Sequence, residues 1–126
     1  MRDTGSEYVA ALAAKDTSTL LGLFADDVYF RALTPRRFWE AATPAEVVHD
    51  VLYQWFEPEE VIEDVEEKHT GRVVDRDRVD YRLRVRTPDG VFAVEQRAYF
   101  DTDDAGRISR MQVLCGGYRR LDDTAS

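Results

Sequence analysis

Three residues in this chain could do chemistry at a buried site, and each is picked out by its place in a periodic pattern. Gln96 falls in the alternating row Phe92, Val94, Gln96, Ala98, Phe100, so its amide joins a face otherwise made of carbon. Left unpaired there, the amide costs about 1 to 3 kcal/mol, and a protein group, a water or a ligand must satisfy it. Tyr8 sits with Leu12 on the apolar stripe of a short helix, where a phenol usually packs and finds one hydrogen-bond partner. Cys115 alternates with Met111 and Val113. With no cation near it in sequence, packing is favoured over a nucleophilic role.

Other reactive types read as solvated. His49 flanks an apolar helical stripe, and His69 lies in the polar run Glu66-Glu67-Lys68-His69-Thr70. One cysteine and two distant histidines give no metal-ligand spacing, so neither metal nor other cofactor is expected. Asp101 to Gly106 has a faint likeness to a calcium loop. Ala105 and Gln112 occupy ligand positions, however, and the flanks read as strands, which makes it a hairpin turn.

The elements that must position these residues follow from caps and period. Thr4 with Glu7 predicts a capping box for a first helix, Asp16 or Thr17 caps a second, and Asp26-Asp27 stops it before strand one at Val28 to Phe30. Thr43-Pro44-Ala45-Glu46 starts a third helix whose apolar residues run from Val47 to Phe56. After Pro58 the period becomes two. Tyr81, Leu83 and Val85 alternate with Arg82, Arg84 and Arg86, and Thr87-Pro88-Asp89-Gly90 turns the chain into the next strand. The remainder reads as an antiparallel meander ending at Gly116-Gly117, giving three helices followed by a sheet, an α+β order.

At 126 residues, 44% hydrophobic, the chain suits a single domain over 1–126 with one core. A net charge of -8, from 25 acids against 17 bases, disfavours nucleic acid. No apolar run approaches a membrane span and the first residues lead into a helix, so a cytoplasmic protein without membrane contact is expected.

The run from Tyr8 to Leu33 (two helices, then a strand), the helix opening Thr43-Pro44, and the late segments Arg97-Ala98-Tyr99-Phe100 and Gly106 to Met111 resemble the nuclear-transport-factor-2-like (NTF2-like) superfamily, which includes SnoaL-like polyketide cyclases and ketosteroid isomerases. The resemblance implies a cone of N-terminal helices on a strongly curved antiparallel sheet, also called cystatin-like, with a pocket for a small, mostly apolar molecule. It also implies site residues. The isomerase tyrosine matches Tyr8, but the proton-moving aspartate falls at Ala32 and the oxygen-holding aspartate at Gln96. Alanine moves no proton and an amide has no useful acid or base form near neutral pH, so isomerase chemistry of that kind is contradicted.

Alternation and resemblance together place Tyr8 and Gln96 in one cavity bordered by Phe30, Ala32, Trp55, Met111 and Cys115. The segment Thr34 to Ala42 is then a lid at the mouth, offering Trp39, Arg37 and Glu40. The reading is a binder of a small apolar metabolite, with cofactor-independent cyclisation, isomerisation or dehydration as candidate reactions. A non-catalytic binding or dimerisation module is the alternative. Charged and apolar residues on the outer sheet face, Tyr99 and Leu114 among them, predict a homodimer.

Overall fold

The computed structural model describes residues 3–121. Helix α1 spans Thr4–Ala14 and α2 spans Thr17–Leu23; strand β1 is Phe24–Thr34 and β2 is Arg37–Ala41. The third helix, α3, is π-helical over Glu46–Leu52 and α-helical over Tyr53–Trp55. Strands β3 (Val61–Val73), β4 (Arg76–Thr87), β5 (Gly90–Thr102) and β6 (Ile108–Arg120) follow. Among the described residues the six strands form one sheet in the order β2-β1-β6-β5-β4-β3.

Local chemistry explains most boundaries. Asp3 caps α1 by accepting from the Ser6 backbone N–H and hydroxyl, in place of the expected Thr4. Aspartate one residue earlier reaches the same orphan donors and adds a negative charge at the positive end of the helix. Asp16 caps α2 in the same manner. At α3 the Thr43 hydroxyl accepts from Glu46 N–H while the Glu46 carboxylate accepts from Ala42 N–H, one residue before the partner of the box that the sequence signals.

Three expectations need correction. The sheet is mixed: β3 to β6 are antiparallel neighbours, but β1 runs parallel to β6. A parallel pair needs a long crossover, and the helix and hairpins between β1 and β6 supply it. Second, α2 ends at Leu23 and β1 begins at Phe24, four residues before Val28. Phe24 pairs with Ile108 and Tyr29 with Arg110, so a large bulge absorbs the residues between, Asp26 and Asp27 included. Third, the expected lid is largely strand. Arg37 to Ala41 pair residue for residue with β1, Leu33 opposite Phe38 and Ala32 opposite Trp39.

The core lies between the helices and one face of the sheet. Tyr81, Leu83, Val85, Val94, Ala98 and Phe100 are buried, as alternation requires, while Arg82, Arg84 and Arg86 point outward. Phe92, expected inside, is only half-buried. It lies near the sheet's end, against the Tyr118 ring at 5.7 Å and below the Arg120 guanidinium. Aromatic rings fill the depth of the fold: Tyr81, Tyr8, Phe24, Phe30, Trp55 and Trp39 touch in sequence at centroid distances of 6.1 to 6.5 Å. Most contacts in this chain are edge-to-face, the arrangement the ring quadrupole favours.

Candidate functional site

Register brings the site together. Strands β4 and β5 are joined by a two-residue turn, and counting back from it sets Tyr81 opposite Gln96; on the other side of β5, Gln96 faces Cys115 of β6. The three side chains form a row across the inner face. Tyr81 donates its phenolic hydrogen to Gln96 Oε1 at 2.5 Å, which leaves Gln96 Nε2 buried with no partner. Gln96 itself is 3% exposed. Above Tyr81 stands Tyr8 of α1, with ring centroids 6.1 Å apart and nearly perpendicular planes. The Tyr8 hydroxyl makes no hydrogen bond of ordinary geometry, although Tyr81 is near enough to act on its ionisation.

Both phenols are held neutral. Burial pushes Tyr8 up to about 12, partly opposed by the Tyr81 hydroxyl and slightly aided by Cys115. Burial likewise raises Tyr81 well above the ordinary phenol, with Tyr8 and Cys115 adding to it. Neither is a base near neutral pH.

A cavity of about 350 Å³ opens beside this row, lined by Thr34, Pro35, Arg36, Gln54, Trp55, Gln96, Cys115, Gly117 and Tyr118. Its size lies at the lower end of small-molecule sites. Trp55 brings a second buried, unpartnered donor, its Nε1. Trp55 is held there by its contacts with Phe30 and Trp39, and its carbonyl accepts from Tyr118 Oη at 2.5 Å. Tyr118 Oη also lies 2.6 Å from Glu60 Oε1, and burial with that carboxylate raises its pKa. Gly117 shapes the opposite wall. Its φ of 87° is left-handed, and a Cβ there would sit 3.0 Å from Pro35 Cγ, so glycine is what lets β6 and the β1–β2 turn meet. The Gly117 N–H points at Cys115 Sγ, 3.4 Å away.

Of the nine residues expected at the site, Trp55, Gln96 and Cys115 line this cavity. Tyr8 lies one ring behind it, touching Tyr81. Phe30 and Met111 are fully buried opposite each other in β1 and β6, and Ala32 is buried against Val113 and Trp39, so these three are packing. They do not form the rim of a deep pocket, because the aromatic chain occupies that depth. Trp39 is pinned by its Nε1, which donates to Thr34 Oγ1, and by Arg37 stacked 3.8 Å over its ring. Glu40 is exposed on β2 and pairs with Arg31 at 3.4 Å, away from the cavity.

Tyr81, Tyr118 and Gly117 are the residues that sequence reasoning passed over. For Tyr81 the signal existed: the short turn at Pro88-Asp89 fixes its pairing with Gln96. His49 and His69 are exposed, His49 against the Tyr53 ring and His69 beside Glu67. In the turn after β5, Asp103 Oδ1 accepts from the backbone N–H groups of Ala105 and Arg107, an Asx turn. No group of three His, Cys, Asp or Glu side chains is placed to hold a metal among the described residues. No described helix is long and apolar enough to cross a membrane.

No family model matches the sequence, and no curated protein does. Solved structures do match. An isomerase, so assigned, from Bacillus subtilis superposes with a TM-score of 0.72 at 14% identity, covering 90% of this chain and 84% of that one. A SnoaL-like polyketide cyclase, so assigned, from Shewanella putrefaciens gives 0.67 at 16% identity, covering 89% and 77%. An LEH-like epoxide hydrolase from M. tuberculosis gives 0.65 at 13% identity, covering 89% and 79%. The fold is NTF2-like. At these identities the likeness speaks for architecture, and the chemistry of this NTF2-like cone has to come from its own residues.

Proposed function

We propose that this NTF2-like protein binds a small, mostly apolar metabolite at the mouth of its cone. One observation carries the reading: Gln96 Nε2 and Trp55 Nε1, both buried and both without partners, belong to the lining of one largely apolar cavity. Two unmet donors in one wall are a standing cost of about 1 to 3 kcal/mol each, and a ligand acceptor offsets it. Both nitrogens are covered by neighbouring atoms, so binding requires a lining side chain to change rotamer.

A screen of small cyclic and aromatic ketones, esters and hydrocarbons tests this, read by the two tryptophans and by thermal shift. A ligand at a hundred times its Kd should stabilise the fold by about 2.7 kcal/mol. Saturable quenching that disappears in Gln96→Leu supports the site. Binding indifferent to Gln96 and Trp55 sinks it.

The cyclase, isomerase and hydrolase assignments of the structural neighbours favour a second reading, a cofactor-independent enzyme on the same cavity. The buried donors suit a developing oxyanion. No carboxylate or imidazole lines the cavity itself, so a proton transfer would fall to the Tyr118 hydroxyl with Glu60 behind it, to Cys115, to water or to the substrate itself. The binding reading asks for less and stands first.

The β2, β1 and β6 part of the sheet's outer face we assign to self-association. Leu33, Phe38 and Leu114 lie side by side across β2, β1 and β6, each more than half exposed. Light scattering at micromolar concentration should report a dimer that Leu114→Glu dissociates; a monomeric wild type rules it out.

A further inference from the structure

Resting on the reading of the cavity as a ligand site, we propose that the ligand is an acid: its apolar body enters the cavity, and the Arg36 guanidinium at the mouth holds its carboxylate.

Arg36 is the second residue of the two-residue turn between β1 and β2, is exposed, and lines the cavity together with Pro35 and Tyr118. The turn is held from several sides. Thr34 pairs with Arg37 across it, the Thr34 hydroxyl donates to Arg37 O and accepts from Trp39 Nε1, and Pro35 fixes its own φ while lying against Gly117 of β6. A side chain carried on such a turn has little backbone freedom left to lose when a ligand binds.

The charge of Arg36 has no counterpart in the protein. Acids outnumber bases by 25 to 17, and the arginines of the outer sheet face are paired with them, yet among the described residues no carboxylate lies within ion-pair distance of Arg36. The neighbouring arginines are engaged, Arg31 with Glu40 and Arg37 over the Trp39 ring. A guanidinium keeps its charge at any ordinary pH, and its paired N–H groups match the two oxygens of a carboxylate. Glu60 stands behind the Tyr118 hydroxyl, outside the cavity lining, and the Lys15 ammonium beside it donates to Glu60 O at 2.6 Å, which offsets the field of that acid at the mouth. A net charge of -8 repels anions at long range, so a preference for a carboxylate has to come from a local cation. The apolar walls between Arg36 and the depth of the cavity, Pro35 and the rings of Trp55 and Tyr118 among them, ask for a hydrocarbon body behind that charge.

Cyclohexanecarboxylate and cyclohexanecarboxamide, matched in shape and different in charge, test this by tryptophan quenching on the full chain near neutral pH. At low salt wild type should bind the acid about fivefold more tightly than the amide, the upper end for a part-exposed ion pair, and salt at about 1 M should erase the difference. Arg36→Gln should bring the two probes level and leave the affinity for the amide unchanged, while Arg36→Lys should keep part of the preference. Acetate, which has the charge without the body, should not compete. Equal binding of acid and amide by wild type, or an acid preference that survives Arg36→Gln, overturns the proposal and leaves the cavity reading standing. Competition by acetate as strong as that of cyclohexanecarboxylate overturns it as well, since the walls would then contribute nothing. If neither cyclohexane probe binds wild type, the cavity reading falls and takes this proposal with it.

Discussion

Strands β4 and β5 carry two opposite kinds of polar side chain a few ångströms apart, and they differ in what water does for them. On the outer face Arg82 pairs with Glu66 at 2.8 Å, Arg86 with Glu63 at 2.6 Å and Arg97 with Asp80 at 2.9 Å. Each pair is part-exposed, and solvent would serve either partner nearly as well, which leaves such pairs about 0 to 1 kcal/mol. On the inner face a single neutral bond, Tyr81 to Gln96, has no solvent to replace it. The outer face is rich in contacts that matter little to stability, and the inner face has few that matter much.

Substitutions should separate the two faces by size of effect. The largest belongs to the aromatic filling: Phe30→Ala removes a fully buried ring touching Phe24 and Trp55, and should cost about 3 to 5 kcal/mol in urea unfolding. A loss under 1 kcal/mol would mean that the cone is less full than its ring contacts indicate.

Alkali should find the inner face next. Tyr8 holds its proton to about 12 in the folded state against about 10 unfolded, so the native state binds more protons between those values. Stability is then fully present below pH 10 and falls as pH rises to 12, by on the order of 2 kcal/mol from Tyr8, with Tyr81 adding in the same direction. Melts from pH 8 to 12 check this. In Tyr8→Phe the fall should be shallower; an identical slope would assign the alkaline loss elsewhere.

The Tyr81–Gln96 bond sets the third scale. Tyr81→Phe leaves the Gln96 oxygen unmet and should cost about 1 to 3 kcal/mol, whereas Gln96→Leu leaves the Tyr81 hydroxyl unmet but also removes the unpartnered Nε2, so its loss should be smaller. Combining them removes both ends of the bond. The double variant should therefore recover much of the loss, with a coupling of about 1 kcal/mol in the cycle. Strict additivity would dissolve the row as a unit.

This contrast between faces also marks what the sequence could reveal. Period two assigned Arg82, Arg84 and Arg86 to water and Leu83, Val85, Ala98 and Phe100 to the core, because register slips are forbidden once one face is apolar. Gln96 stood out for the same reason. The partner of Gln96 was reachable by counting from the turn, but the orientation of its amide was not, since that depends on where a phenol reaches in three dimensions. Which apolar residues fill the cone and which line a cavity was equally hidden. Phe30, Met111 and Trp55 look alike as apolar positions, and only packing separates the first two from the third. The parallel β1–β6 pair was missed because period reports which face is buried, not which strand lies alongside. β2 was missed because Arg37, Phe38 and Glu40 are exposed at an edge and show no buried row.

The smallest effect should come from the most conspicuous charges. Arg82 lies across from both Glu66, at 2.8 Å, and Glu95, at 3.5 Å, on the strands either side of it, and these acids raise its pKa through hydrogen bonding and charge. Side-chain exposure of 25% for Arg82 and 54% for Glu95 keeps the cluster in a high dielectric, where holding three long side chains together costs entropy comparable with the attraction. Arg82→Gln should therefore shift unfolding by less than about 1 kcal/mol, and salt at about 1 M should erase the difference, since the Debye length there is about 3 Å. A loss above about 2 kcal/mol that persists in salt would mean that the outer face is closed to water at β4 as well, as it would be if the second copy reached beyond β2, β1 and β6.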